Sequence, residues 1–371
     1  MPPAQPNHTP SPPAVQAALA AWWEASRRDL PWRRRTDPYA IWVSEIMLQQ
    51  TRVATVAGYY DRFLAAFPTV EDLAEAPLSA VLKAWEGMGY YARARNLHQA
   101  ARRVAGDLGG ELPRTVKQLR TLPGIGEYTA AAIASIAFDL DEAAVDGNVI
   151  RVLCRLYRIR QAPKAARTRK RLAALARTLI PPGEAGLMNQ ALMDLGATVC
   201  VPKAPRCLAC PLREHCLAFA HGDQHTLPRK APRKPTPHYD IAAAIVWKRG
   251  RVLIDRRKPE GLLGGLWEFP GGKPLEGESL PDAAVREVRE ELGIEIAPGE
   301  LLLSVRHAYT HFRITLHAFE CRYRSGRCKP LGCTDFKWVR LQELDHYAFP
   351  RANQKVIAAL REKRAKQRTK N

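Results

Sequence analysis

Apolar residues in the first part of the chain recur at helical spacing. From about Ala14 to Ala220, Ala- and Leu-rich segments return an apolar residue every three or four positions, a spacing typical of amphipathic helices. Short breaks such as Phe67-Pro68, Leu112-Pro113 and Pro181-Pro182-Gly183 separate these segments. The pattern predicts an all-α domain over residues 14–220.

The pattern changes after this region. Residues 221–238 (HGDQHTLPRKAPRKPTPH) are rich in proline and basic residues and show no periodicity, which predicts an exposed linker. Beyond them, the runs IAAAIVWK, RVLIDRR, ELLLSVRHAYTH and FRITLHAFECRY have strand character, whereas DAAVREVREELG has helical periodicity. An α+β domain is therefore predicted over residues 239–362, followed by the basic tail REKRAKQRTKN.

The composition of the chain indicates its binding partner and its cellular compartment. The 371 residues carry 57 Lys and Arg against 37 Asp and Glu, a net charge of +20, which favours a polyphosphate partner, although basic proteins also use charge for solubility or contact with acidic lipid. The N-terminal MPPAQPNHTPSPP has no apolar core of a signal peptide, and no run approaches eighteen apolar residues. We therefore expect a cytoplasmic protein without a membrane partner, in which cysteines stay reduced and serve metals or catalysis.

Four of the eight cysteines are spaced closely. Cys200, Cys207, Cys210 and Cys216 form the pattern C-x6-C-x2-C-x5-C in a loop over residues 200–216, close enough to hold one metal centre. A four-cysteine zinc site is the alternative, but such sites usually present two C-x2-C pairs and this loop has one. The other four cysteines have no such spacing.

The segment VKQLRTLPGIGEYTAAAIASIAF predicts a helix, a tight turn and a second helix. Gly124 and Gly126 in the turn permit positive φ and leave backbone N–H groups exposed. Such N–H groups at a helix N-terminus can bind a backbone phosphate. On these residues alone, a plain helix connector remains the alternative.

The motifs LPGIGEYTA, VDGNVIRVLCR and the four-cysteine loop together resemble the helix-hairpin-helix DNA glycosylase superfamily, and within it the MutY family of adenine DNA glycosylases. The match runs from PWR at Pro31 through WVSEIMLQQTRV and GMGYYARARNL to Cys216, and resumes in the C-terminal domain. The resemblance implies a [4Fe–4S] cluster on the four cysteines and excision of adenine opposite 8-oxoguanine or guanine in double-stranded DNA. It also implies a monomer whose abasic product passes to downstream abasic-site repair enzymes.

The resemblance assigns catalytic roles to four residues. Taken alone, Asp146 is an ordinary helix N-cap and Glu45 an ordinary helix carboxylate. The resemblance implies that Asp146 stabilises the oxocarbenium-like sugar and that Asn148 orients it. Glu45 is flanked by apolar residues that would raise its pKa, and the resemblance implies that it protonates N7 of adenine. Tyr128 stands where bifunctional relatives have a Schiff-base lysine, so the resemblance implies a monofunctional enzyme.

Further positions match DNA contacts of the family, although each could also be ordinary packing. The wall of the adenine pocket would be formed by Arg28, Leu30, Trp32 and Arg33. Gln50 and Tyr90 would insert beside the lesion, with Thr51 next to them. The family's Phe-Ser-His pattern for reading 8-oxoguanine is here replaced by Tyr309-Thr310-His311.

The C-terminal domain resembles the MutT, or Nudix, fold. From Gly272 the chain reads G-x5-E-x7-R-E-V-x-E-E-x-G-I, a complete Nudix box. Glu287, Glu290 and Glu291 share one helix face and could converge on Mg²⁺ or Mn²⁺. An ion-paired helix face on an inherited scaffold is the alternative.

Three other functions are compatible with parts of the sequence. An endonuclease III-like lyase is disfavoured because Tyr128 replaces its lysine and a second domain is present. The complete Nudix box is also compatible with a nucleotide hydrolase that is tethered to DNA. A non-catalytic DNA sensor is disfavoured because Glu45 and Asp146 are both present.

Overall fold

The computed structural model describes residues 10–229 and 235–368. The first nine residues of the proline-rich N-terminus, residues 230–234 of the predicted linker and residues 369–371 of the basic tail lie outside the described part. The described residues form two compact units. The first runs through Glu75 and continues from Gln99 to residue 229; the second combines Ala76–His98 with the residues from 235 onward. No pattern in the sequence indicates that Ala76–His98 belongs with the C-terminal unit, and the predicted domain limits remain predictions.

The N-terminal part is helical, as predicted. Its α-helices among the described residues are α1 Pro12–Ser26, α2 Pro38–Leu48, α3 Val53–Ala66, α4 Val70–Glu75, α5 Leu78–Ala84, α6 Ala92–Asp107, α7 Val116–Leu119, α8 Glu127–Phe138, α9 Gly147–Leu156, α10 Ala166–Thr178, α11 Ala185–Thr198 and α12 Leu217–Ala220. Short 3₁₀ turns cover Pro31–Arg34, Cys207–Ala209 and Arg213–His215.

Local sequence explains where the helices at the site begin. Asp37 caps α2 by accepting hydrogen bonds from the backbone N–H groups of Tyr39 and Ala40, and Pro38 at the first helical position has the φ that a helix needs. Asp146 caps α9 in the same way through the Val149 N–H. Helix α9 also packs with α1, α10 and α11 around a shared apolar core.

The C-terminal unit contains a seven-stranded mixed sheet. Its strands are β1 His238–Lys248, β2 Arg251–Arg256, β3 Trp267–Glu268, β4 Gly271–Gly272, β5 Ile294–Ala308, β6 Arg313–Gly326 and β7 Asp335–Val339. The order is β3-β2-β1-β6-β5, with β4 pairing to β1 and β7 to β2; β1 and β6 are parallel and the other pairs antiparallel.

Helices cover this sheet. They are α13 Leu280–Leu292 and α14 Arg351–Arg368, with a 3₁₀ turn at Leu341–His346. Apolar residues of α13 pack in one core and those of α14 in the other. The predicted combination of an all-α domain and an α+β domain is confirmed.

The segment Ala76–His98 is tied to the C-terminal unit by hydrogen bonds. Lys83 Nζ donates to the Tyr347 carbonyl over 3.0 Å, and the Phe349 N–H donates to Glu86 Oε1 over 2.8 Å. The segment that contains GMGYY is therefore part of the same unit as the sheet.

Candidate active site

Nine of the predicted site residues line one cavity in the first unit. Its volume is about 320 Å³, within the range of small-ligand pockets. The 3₁₀ turn Pro31–Arg34 and helices α2, α8 and α11 contribute to its wall, together with the N-terminus of α9. The predicted residues that line it are Arg28, Leu30, Trp32, Arg33, Glu45, Thr51, Tyr128, Asp146 and Asn148.

Glu45 is a buried carboxylic acid on α2, with 5% of its surface exposed. Burial raises its pKa to about 7, and the charge of Asp146 acts in the same direction. Tyr128 opposes this shift, because its hydroxyl donates to Glu45 Oε2 over 3.0 Å, and Arg33 opposes it electrostatically. Glu45 thus keeps its proton to a much higher pH than an ordinary glutamic acid does.

Asp146 is held by two hydrogen bonds at the start of α9. The Val149 N–H donates to Oδ1 over 2.7 Å, and Asn148 Nδ2 donates to Oδ2 over 2.8 Å. Asn148 therefore lies where the resemblance places it. Burial raises the pKa of Asp146 despite these two bonds and the nearby charge of Arg151, so the helix N-terminus does not by itself determine its ionisation.

Sequence reasoning missed a second set of polar residues in this region, on α11. Gln190 lines the cavity and accepts from Arg33 Nε over 3.0 Å. Four residues further along the same helix face, Asp194 is fully buried and pairs with both Arg28 and Arg33. The signal was present, since an aspartate between Met193 and Leu195 in an apolar helix needs a partner.

The predicted turn before α8 has one left-handed glycine. Gly124 has φ +80°, a conformation that favours glycine. Gly126 has φ −88° and is the extended N-cap of α8, so of the two turn glycines Gly124 alone has a left-handed backbone. The Gln49 side chain contacts α8 just after this turn, because its Nε2 donates to Thr129 Oγ1 over 3.0 Å.

Two predicted DNA-inserting residues have positive φ although they are not glycines. Gln50 has φ +55° and Tyr90 has φ +49°, and both side chains are exposed. Left-handed backbone costs a non-glycine residue about 1–2 kcal/mol, and such strain is concentrated at functional sites.

The loop after β5 contains the residues that replace the Phe-Ser-His pattern. Thr310 is exposed and its hydroxyl hydrogen-bonds to the hydroxyl of Tyr90 within the C-terminal unit. Tyr309 is half-buried, with its ring centroid 4.7 Å from that of His307 and 4.8 Å from that of Phe312. His311 is exposed, so Thr310 and His311 are the more accessible members of the three.

The four clustered cysteines line one small cavity of about 30 Å³. Burial raises the pKa of Cys210 to about 12 and that of Cys216 to about 11, so these thiols need a metal to lose their protons at neutral pH. Arg155, which is buried, donates from Nη1 to Cys200 Sγ over 3.2 Å and to the Val201 carbonyl over 2.8 Å. Arg155 therefore anchors the start of the loop.

No group of three or more His, Cys, Asp or Glu side chains within residues 10–229 and 235–368 is arranged to hold a single metal ion. One tetrahedral zinc ion would draw four sulfurs to about 2.3 Å from one point. The donor set and the shared cavity nevertheless suit a thiolate-bound metal centre at Cys200, Cys207, Cys210 and Cys216.

The carboxylates of the Nudix box are held by an arginine. Arg286 Nη1 lies 3.0 Å from Glu287 Oε1 and 3.1 Å from Glu290 Oε2, and Arg286 also pairs with Glu278. Burial raises the pKa of Glu291 to about 7. The proposed Mg²⁺ or Mn²⁺ site at Glu287, Glu290 and Glu291 remains a prediction.

Comparisons with known proteins find matches for both parts of the chain. The HhH-GPD superfamily of base excision DNA repair proteins matches residues 43–178, and the NUDIX domain matches residues 242–359. A solved structure of a thermostable thymine-DNA glycosylase is 34% identical, with a TM-score of 0.52, and covers 57% of this chain and 97% of its own. The fold and these matches thus place the protein in the class of HhH-GPD base excision DNA repair proteins. A NUDIX domain is added to it.

The similarity to curated relatives is more specific. The adenine DNA glycosylase of Rattus norvegicus is 36% identical over 95% of this chain and 78% of its own. That of Buchnera aphidicola subsp. Acyrthosiphon pisum is 30% identical over 92% of this chain and 96% of its own. The chain belongs to the adenine DNA glycosylase family.

No helix in the described residues is long and apolar enough to cross a membrane.

Proposed function

We propose that this protein excises adenine mispaired with 8-oxoguanine or guanine from double-stranded DNA, leaving an abasic site. The observation that carries the proposal is the pairing, in one base-sized cavity, of a buried acid with pKa about 7 and a second carboxylate at a helix N-terminus. The two curated relatives named above are both adenine DNA glycosylases, which supports the choice of base.

Each carboxyl group has a separate role in this reaction. Glu45 donates its proton to a ring nitrogen of adenine, so that the base departs neutral as the C1′–N9 bond breaks. Asp146, oriented by Asn148, stabilises the positive charge that develops on the sugar. Water then adds to C1′ and loses a proton, which completes the hydrolysis.

Tyr128 fixes the type of product. Its hydroxyl donates to Glu45 Oε2, and a phenol cannot form a Schiff base with C1′. The protein is therefore a monofunctional glycosylase, whose abasic product passes intact to the enzymes that process abasic sites.

Extrusion of the base requires contacts that offset unstacking, which costs a few kcal/mol. Gln50 and Tyr90, both exposed and both in strained backbone, supply side chains that can enter the base stack. Gly124 and Gly126 expose the turn before α8, where N–H groups can bind a phosphate. In this proposal the exposed Thr310 and His311 contact the base opposite the adenine, and Tyr309 packs against Phe312 behind them.

We further propose that Cys200, Cys207, Cys210 and Cys216 hold a [4Fe–4S] cluster. When bound, the cluster cross-links the loop 200–216 through four thiolates. Arg155 binds the Cys200 sulfur and adjacent carbonyls, which fixes the first ligand. The cluster thereby supports the loop, which offers Lys203, Arg206 and Arg213 to DNA.

The proposal is tested by single-turnover excision on duplexes with adenine opposite 8-oxoguanine, guanine or cytosine, and with thymine glycol opposite adenine, each with and without alkali. We expect adenine to leave only opposite the two guanines, with strand cleavage that needs alkali. Thymine glycol cleavage without alkali would instead establish a lyase, and no excision at all would remove the proposed function.

A further inference from the structure

Asp194 accepts five hydrogen bonds while it is completely shielded from solvent. Arg28 donates from its backbone N–H, from Nε over 2.8 Å and from Nη2. Arg33 donates from Nη1 to Oδ2 over 2.8 Å and from Nη2 to Oδ1 over 3.0 Å. Burial would raise the pKa of Asp194, but hydrogen bonds from Arg33 and Arg28 outweigh it and hold that pKa below its ordinary value.

These bonds leave Arg33 with no freedom to reorient. Its Nε donates to Gln190, its Nη1 also donates to the Arg28 carbonyl over 3.0 Å, and its guanidinium carbon lies 4.6 Å from the ring centroid of Trp23. Both arginines line the base pocket, so Asp194 determines where two donors of the pocket wall lie. A bidentate carboxylate is well suited to fix guanidinium planes.

The same arrangement sets the charge of the pocket wall. Two guanidinium groups and one carboxylate leave a single net positive charge beside the cavity. Arg33 is close enough to lower the pKa of Glu45, so the carboxylate behind it limits that effect.

We propose that Asp194 is a positioning residue of the glycosylase, which fixes Arg28 and Arg33 in the pocket wall and limits the electric field that they exert on Glu45. The inference rests on the proposed function, since it concerns the same acid. It predicts that the pH range of excision depends on the charge balance among Asp194, Arg28 and Arg33.

The groups that face Glu45 come from several elements. Tyr128 on α8 lowers its pKa through a hydrogen bond, Asp146 at the N-terminus of α9 raises it, and Arg33 in the 3₁₀ turn lowers it. Arg28 and Arg35 also line the cavity. Substitution at Asp194 or Arg28 changes the charge around Arg33 without removing any of the three groups that act directly on Glu45.

The experiment measures single-turnover excision against pH for the full-length protein and three variants. In Asp194→Asn the positive charge is no longer offset, so the fall of rate at high pH is expected about one pH unit lower. In Arg28→Gln the net charge is reduced, so the fall moves upward. In the double variant the net charge equals that of the unchanged protein, and the fall returns close to its original pH even where the maximal rate is lower.

The opposite shifts and their cancellation distinguish an electrostatic role from a structural one. A merely structural role would lower the rate or the melting temperature of Asp194→Asn and leave the position of the pH fall unchanged, which would overturn the inference. If Asp194→Asn does not fold, Arg28→Gln decides on its own, because the proposal requires its fall of rate to move upward and an unchanged fall would overturn it. Absence of excision by the unchanged protein would instead reject the proposed function.

Discussion

At Glu45, burial and a single hydrogen bond act on the same carboxyl group in opposite directions. Desolvation disfavours the charged form, whereas the Tyr128 hydroxyl stabilises it by donating over 3.0 Å. The pKa of about 7 is the result of this competition. The protonation of Glu45 near neutral pH thus depends on the hydroxyl of Tyr128 as well as on burial.

Removal of that hydroxyl tests the competition. In Tyr128→Phe the hydrogen bond that lowers the pKa of Glu45 is lost, so its pKa rises and the acid form persists to higher pH. We expect the high-pH fall of single-turnover excision to move upward by about half a unit or more. The matched control is Tyr39→Phe, which removes a buried hydroxyl that donates to the Phe67 carbonyl; a downward shift in Tyr128→Phe, or an equal shift in the control, would contradict the assignment.

The environment of some site residues could be predicted from the sequence, and that of others could not. The burial of Glu45 could be predicted because its neighbours Trp42, Val43 and Ile46 are apolar and lie on different sides of α2. Asp194 did not emerge because its partners lie more than 160 positions away, and no local pattern connects them. The predicted cavity residues were found through the family resemblance, since as isolated positions they resemble ordinary packing.

At the scale of elements, the carboxylate of Asp146 is positioned where α9 meets α11. Gly196 on α11 approaches Asn148 so closely that an added Cβ would lie 2.6 Å from Asn148 Cβ and 3.0 Å from its carbonyl oxygen. Asn148 in turn donates to Asp146. The crossing of two helices therefore determines the orientation of a carboxylate at the site.

Gly196→Ala is expected to separate these helices and to displace Asn148. Overpacking of this kind costs about 1–3 kcal/mol, and we expect a lower melting temperature together with a loss of excision that exceeds the loss of folded protein. Gly58→Ala on α3 is the matched control, because nothing lies within 4 Å of its added Cβ. A helix-interior alanine should stabilise that site by about 0.5–1 kcal/mol; equal activity in both variants would show that the crossing does not position Asp146.

Most elements could be predicted from their periodicity, and the exceptions have physical reasons. Strands β3 and β4 contain two residues each, too few for an alternating pattern to be seen. Strand β7 has only five residues, so the alternation of Phe336 and Trp338 with polar neighbours is too short to stand out, although both side chains pack against a core. The segment Ala76–His98 is joined to the C-terminal unit by hydrogen bonds between residues far apart in the sequence. A local sequence pattern cannot predict such contacts.

At the scale of the whole molecule, charge is the property that sequence conveys directly. A net charge of +20 attracts a polyanion from any direction and raises association rates. It says nothing about which base is removed, because phosphate contacts carry no sequence information. In the proposed function, specificity is instead assigned to the cavity and to the loop that contains Thr310 and His311.

Salt dependence of duplex binding tests the electrostatic part of this account. Binding of Asp146→Asn, which retains the helix cap because asparagine is an equally good N-cap, can be measured on an intact mispair without turnover. If about six phosphates are contacted, affinity should fall about 1,000-fold between 50 and 200 mM salt. Affinity that does not depend on salt would show that the basic surface does not bind DNA.

The central claim is that Glu45 supplies the proton and Asp146 the stabilising charge. The decisive measurement is the single-turnover rate of adenine excision opposite 8-oxoguanine from pH 5 to 9, for the unchanged protein, Glu45→Gln and Asp146→Asn. Because the pKa of Glu45 is about 7, the rate should be highest below pH 7 and fall about tenfold per unit well above it. Glu45→Gln should lose this fall together with about 100-fold or more of the rate, and Asp146→Asn should be nearly inactive. A rate that stays constant to pH 9, or an unchanged pH profile in Glu45→Gln, would contradict the assignment of Glu45 as the acid.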